Sequence, residues 1–264
     1  MMSGKVLLSF DVEEFDLPKE HGEEITLEEG VEVSSGGLER ILVILEKTGV
    51  KVTFFCTGNF VKNRQDLIRR IQREGHEIAC HGVDHFKPCK SDLEESKKIV
   101  EKTIGRKVFG YRQPRMFKID YKELKRCKYE YDSSVNPAII PGRYNNAKMP
   151  RCPFVQDGVL EIPASVAGAM RIPLFWLALH LFPLPVYYRL AWKAIRKDGQ
   201  LVTYFHPWEF AELDSFKVVP WFIKRNSGKK LVNKLEKLIN KLKRKECEFV
   251  TYHQFSEEWK LNNK

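Results

Sequence analysis

The chain has 264 residues, 43% hydrophobic and 30% charged, with 45 basic against 35 acidic side chains and a formal net charge of +10. That size and balance describe an ordinary soluble globule whose core needs no covalent staples, and six cysteines without a CxxC pair argue against a zinc ribbon or a thioredoxin-type redox site. The positive excess favours anionic partners such as phosphorylated substrates, nucleic acid or a membrane surface.

In chain order, residues 5–10 (KVLLSF) read as a buried strand that breaks at once into four carboxylates, Asp11, Glu13, Glu14 and Asp16. Helical periodicity follows over 36–49, a buried strand over 51–57, and a helix over 63–75 ended by glycine. Residues 76–80 are a strand, and 91–105 a helix with Ser91 as N-cap and Glu94 completing a capping box. The alternation continues through a strand at 107–112, a helix near 119–127 and a strand at 129–135. An insertion-like loop (136–153) and strands at 158–164 and 200–205 come next. A basic helix within 229–246 and a strand at 247–252 complete the pattern. In the basic helix, Leu231, Leu235, Leu238 and Leu242 form one stripe with lysines opposite. The stripe reads as the buried side of a surface helix with a solvated basic face, membrane or nucleic-acid contact being the alternative.

The stretch from Ile172 to Ile195 is the most apolar of the chain, but Pro173, His180, Pro183, Pro185 and Arg189 interrupt it. No clean run long enough to cross a bilayer remains. It reads as a buried or partly exposed loop and helix, the alternative being a patch that dips into a membrane or grips an apolar aglycone. With no export signal legible before the first strand, the expectation is reduced thiols and a cytoplasmic chain, at the inner membrane face if its substrate is lipid-linked. Strand–helix alternation predicts a mostly parallel sheet flanked by helices, in one domain over 1–264. Working groups then gather at the C-terminal ends of the strands.

Polar residues do line up there. Strand one ends in Asp11 and Glu13, and strand three runs into CHGVDH with His81 and His85. The fourth runs into YRQPR with Arg112 and Pro114, and the strand at 200–205 into HPWE with His206. Two histidines in H-x3-H, beside a carboxylate, can hold a divalent metal with positions left open for water and substrate. A second carboxylate can take a proton from that water, and a histidine opposite can protonate a leaving nitrogen. The layout suits hydrolysis of an amide bond. A Cys/His zinc site using Cys80 or Cys89 is disfavoured, because Cys80 should point away from His81.

The ordered motifs SFDVEE, HGVDH, YRQP and VTYFHP resemble those of the polysaccharide deacetylase superfamily, the NodB-homology or carbohydrate esterase family 4 group. FVTYHQFSEEW (249–259) resembles its final strand and helix. The resemblance implies an α/β fold, a distorted (β/α) barrel of about seven strands. It implies Asp11 as general base, Arg112 as the residue orienting it, His206 as general acid and His81 and His85 as metal ligands. Pro114 and Trp208 are the expected substrate contacts, and the cofactor a divalent metal, zinc by expectation.

Two departures matter. The common first motif reads Asp-Asp, but position 12 is Val12; the D-V-E form resembles a sub-branch in which Glu13 would be the metal carboxylate, leaving Glu13 or Asp11 as third ligand. The Asp-Trp pair that tunes the acidic histidine is missing, with Asp132 or Glu161 as its expected substitute.

The implied activity is removal of an N-acetyl group from an amino sugar in a polysaccharide or glycolipid precursor. The alternatives are a cyclic amide or ureide hydrolase of the allantoinase-like branch, or a retired carbohydrate-binding scaffold. FHPWEF and YDSSVNP are similar to proteins encoded with surface-polysaccharide assembly, implying an N-acetylated sugar partner, lipid-linked at the membrane face, with peripheral membrane contact and no nucleic acid.

Overall fold

The computed structural model describes residues 4–142 and 144–263; residues 1–3, 143 and 264 of the expected 1–264 domain lie outside those ranges. Seven parallel strands build the main sheet: β1 (Lys5–Val12), β2 (Thr53–Cys56), β3 (Glu77–Cys80), β4 (Gly110–Tyr111), β5 (Tyr131–Asp132), β6 (Val159–Glu161) and β7 (Gln200–Phe205). Their spatial order is β7-β1-β2-β3-β4-β5-β6, every pairing parallel. Strand Phe154–Gln156 adds antiparallel to β6, and Glu248–Phe249 pairs with the start of β1. Between β6 and β7, the Ser165 backbone N–H donates to the Val202 carbonyl (2.9 Å), and Ser165 Oγ accepts from the Val202 N–H (2.9 Å). The curled sheet is therefore sealed by one residue where a regular barrel would have an eighth strand.

Side-chain alternation decides what faces each way. On β1, Val6, Leu8, Phe10 and Val12 join the layer beneath the helices, whereas Leu7 joins a second cluster with Phe55, Ala79, Val202 and Tyr252. Ser9, Asp11 and Glu13 share Leu7's parity, so β1 delivers its polar groups to the inside of the curl.

Helix Leu27–Thr48 is longer than the expected 36–49, because Thr26 and Glu29 form a full capping box ahead of it. Ser91 makes no side-chain cap bond; Asp92 instead accepts from the Cys89 backbone N–H (3.0 Å). The stripe Leu231, Leu235, Leu238 and Leu242 is buried, as the periodicity predicts. The 63–75 segment is a helix over Gln65–Arg73, and the 136–153 loop carries a small antiparallel ribbon, Ile139–Ile140 with Tyr144–Asn145. The 247–252 strand is shorter than expected, since Thr251 caps a helix beginning at Tyr252. Among the described residues no helix is long and apolar enough to cross a membrane.

Candidate active site

The four carboxylates at and just beyond the end of β1 are each held differently, three of them against His85. Asp11 Oδ1 accepts from Arg112 Nη1 at 2.5 Å. Arg112 is fully buried, and its remaining donors reach Ser9 Oγ (3.0 Å), the Ser133 carbonyl (3.0 Å), Ser133 Oγ (3.0 Å) and Tyr252 Oη (2.9 Å). All five guanidinium N–H groups are satisfied, and the group lies 4.0 Å over the Phe55 ring. Burial would raise the Asp11 carboxyl, but Arg112, His81 and His206 outweigh it and hold it below its ordinary value.

Glu13 Oε1 accepts from Trp208 Nε1 at 3.2 Å, and its Oε2 faces His81 Nε2 (3.3 Å) and His85 Nε2 (3.1 Å). Glu14 accepts from Thr57 Oγ1 (2.7 Å), Asn59 Nδ2 (3.2 Å) and the His85 backbone N–H (3.1 Å), and so pins the HGVDH loop to β1. Asp16 Oδ2 lies 2.8 Å from His85 Nδ1 and takes Arg115 Nη2 at 3.2 Å. Within that loop Gly82 has φ +71°, and a Cβ there would crowd Pro114 Cγ at 2.9 Å, so the turn after His81 needs glycine.

Glu13, His81 and His85 fit a divalent cation. Their ligand atoms lie within 4.8 Å of one another, and buried Glu13 Oε2 has no hydrogen-bond donor. His81 Nδ1 donates to the Arg112 carbonyl (2.8 Å) and His85 Nδ1 to Asp16, which turns both Nε2 lone pairs toward Glu13. Against the effect of burial, Glu13 and Asp16 push the cation-free His85 up to about 9; a bound ion would replace that proton. The geometry favours Glu13 over Asp11 as third ligand, since Asp11 Oδ1 is committed to Arg112 and its Oδ2 stands 3.9 Å from His81 Nε2.

His206 Nε2 faces the same centre, 3.9 Å from Asp11 Oδ2 and 4.0 Å from Glu13 Oε1. Its Nδ1 donates to Glu209 Oε1 (2.9 Å), which also takes the His206 backbone N–H (2.5 Å). Glu209 Oε2 pairs with His180 Nε2 at 2.8 Å. Burial would lower the His206 imidazole, but Glu13, Glu209 and Asp11 together raise it. Burial opposes ionisation of Glu209 too, and its two histidines overcome that and lower it. The turn Pro207–Phe210 that returns Glu209 to His206 packs on helix Leu27–Thr48 at Gly37, where any Cβ would overlap the Pro207 carbonyl.

Glu209 therefore occupies the place expected for Asp132 or Glu161. Those two stand side by side on β5 and β6 and bond to Ser134, Tyr121 and the Val135 N–H, with no contact to His206. Asp11, Glu13, His81, His85, His206 and Trp208 line one cavity of about 310 Å³. Trp208 also stacks on His206, 5.2 Å between ring centroids. Arg112 lies beneath the cavity, and Pro114 is buried beside Gly82; their neighbours Gln113 and Arg115 reach the cavity wall. Cys80 is buried away from the group, with its thiol pushed up to about 12 by burial.

Residues 18–131 match the family model described as polysaccharide deacetylase. That segment is polysaccharide deacetylase-like. Residues 133–256 match a domain of unknown function, DUF3473. The boundary falls inside the parallel sheet, and the cavity draws His81 and His85 from one matched segment, His206 and Trp208 from the other. The peptidoglycan-N-acetylmuramic acid deacetylase PdaA of Bacillus subtilis is 33% identical over 134 residues, 47% of this chain and 50% of that protein. The matches span half or less of the first curated relatives' length. A putative polysaccharide deacetylase structure from Mycobacterium smegmatis superposes with a TM-score of 0.72 at 21% identity, covering 100% of this chain and 92% of that one. Puue allantoinase gives 0.67 at 15% identity, covering 97% and 89%, and so shares the fold.

Proposed function

We propose that this chain is a metal-dependent hydrolase that removes the N-acetyl group of an amino sugar in a polysaccharide or glycolipid precursor. The supporting observation is the opposition of two buried groups shifted in opposite senses: Asp11, whose carboxyl Arg112 holds low against burial, and His206, whose imidazole Glu13 and Glu209 raise against burial. Their facing atoms are 3.9 Å apart beside the Glu13–His81–His85 cluster. Those three residues would hold the ion, zinc in this proposal, which supplies Lewis-acid polarisation and a more acidic water.

The chain's own residues handle the protons. Asp11 Oδ2, the carboxylate oxygen left free by Arg112, takes one from the attacking water as its oxygen bonds to the acetamide carbon. His206 Nε2 gives one to the departing nitrogen as the C–N bond breaks, and Glu209 holds the ring with that nitrogen facing the cavity. Acetate and a free amino sugar leave.

The cavity shape favours a saccharide over a small cyclic ureide. Glu20, Arg115, Met116 and Tyr144 form a shared wall with a second cavity of about 770 Å³, which gives room for a chain of sugars. Acetate release from N-acetylhexosamine oligosaccharides and from lipid- or nucleotide-linked forms tests the proposal, with His206→Ala abolishing it. Zinc-loaded protein that releases no acetate yet opens a cyclic ureide would transfer the assignment to ring hydrolysis.

A further inference from the structure

We propose that the face built by helices Trp176–Leu181, Leu184–Asp198, Trp221–Lys224 and Lys229–Lys243 docks on the surface of an anionic lipid bilayer. The charge excess of the chain is concentrated there. Residues 216–245 hold eleven basic side chains against one acidic residue, Glu236, so this segment alone accounts for the net +10. The other 34 basic and 34 acidic residues balance. Large apolar side chains stand in solvent within the same region: Trp221 is 67% exposed, Leu181 51% and Val186 40%.

Hydrogen bonds tie these pieces into one surface. Lys234 Nζ donates to the carbonyls of Leu179 and Phe182, and Asn226 Nδ2 to that of His180 (2.8 Å). Lys241 lies 5.3 Å over Tyr188 and Lys245 6.0 Å over Trp192, laying the basic helix along Leu184–Asp198. Cations grouped around an exposed tryptophan and two aliphatic residues match anionic headgroups above an acyl boundary. Nucleic acid would use the cations and leave the aliphatic protrusions without a role. The face also borders the cavity: Trp176, Leu177, Pro220 and Phe222 line it beside Leu181 and Trp221, so a docked chain would present its opening near the bilayer.

Co-sedimentation of the full chain with phosphatidylglycerol-containing and pure phosphatidylcholine vesicles tests this without reference to catalysis. Binding should be confined to the anionic vesicles and fall as salt rises. With about fivefold affinity per lysine, Lys237→Glu with Lys241→Glu should weaken it at least ~25-fold. Trp221→Ser with Leu181→Ser should weaken it too, and neither pair touches the cavity, so hydrolysis of a soluble substrate should be unchanged. Equal binding to both vesicle types overturns the proposal. So does displacement of vesicles by double-stranded DNA at matched phosphate while the Trp221→Ser, Leu181→Ser variant binds as before, which would make this a nucleic-acid surface.

Discussion

Glu209→Gln isolates what the second carboxylate contributes to the acid. The side chain is fully buried, and three N–H groups point at it: the His206 backbone at 2.5 Å, His206 Nδ1 at 2.9 Å and His180 Nε2 at 2.8 Å. Glutamine preserves shape but offers one acceptor oxygen, and its amide donors then oppose another donor. A hydrogen bond to a charged partner contributes about 1.5–3 kcal/mol. At 1.36 kcal/mol per pKa unit, His206 should lose about one to two units. In the native chain His206 titrates above its ordinary value, so its acid form persists to higher pH; Asp11 titrates below its own, so its base form persists to lower pH. The kcat/KM profile should therefore be a broad bell. In Glu209→Gln the alkaline limb should move down by about one to two units while the acid limb stays. Initial rates of acetate release across the pH range, with folding checked by thermal melting, give the answer. A uniform drop in rate with both limbs in place would refute the reasoning and leave Glu209 as packing.

Arg112→Met strands Asp11 as a buried, unpaired carboxylate and should cost about 3–5 kcal/mol in urea unfolding. Asp11→Asn should keep zinc binding and lose about 10²–10⁴-fold in turnover, whereas Glu13→Gln should weaken zinc binding itself; calorimetric titration separates the two. His76 is held down to about 4 by burial and by Lys51, and its Nδ1 accepts from the Val52 N–H at 3.4 Å. Since the unfolded imidazole takes its proton near the ordinary value, stability should fall as pH drops from about 6.5 toward 4. The loss should reach about 3 kcal/mol at most, and His76→Asn should flatten that part of the curve.

Much of the site could be read from residues that directly follow a strand. A parallel sheet places all its C-terminal strand ends on one rim, so Asp11, Glu13, His81 and His206 meet although some 200 positions separate the first from the last. What the pattern hid depends on chain reversal. Glu209 lies three residues past His206, and only the tight turn at Pro207–Phe210 folds it back onto the ring. Its signal was present in H-P-W-E, an acid at i+3 from a histidine. Asp132 and Glu161 looked as suitable as partners, but the register of β5 against β6 sets them opposite each other. Asp16 and Glu14 could be counted, yet their assignment to the HGVDH loop needed the fold, because that loop arrives from about 70 residues away.

The pairing of β1 with β7 also governs how the molecule is made. Residues 5–10 of β1 align with 200–205 of β7, so one edge of the first strand stays bare until most of the chain has left the ribosome. Contacts this distant in sequence slow folding, and an apolar strand edge left open invites self-association. The strand that covers the edge is followed immediately by His206. A chain released before that point would carry Glu13, His81 and His85 without His206, the acid in the proposed reaction. Synthesis thus delivers the sealing of the sheet and the last histidine of the cavity in one step.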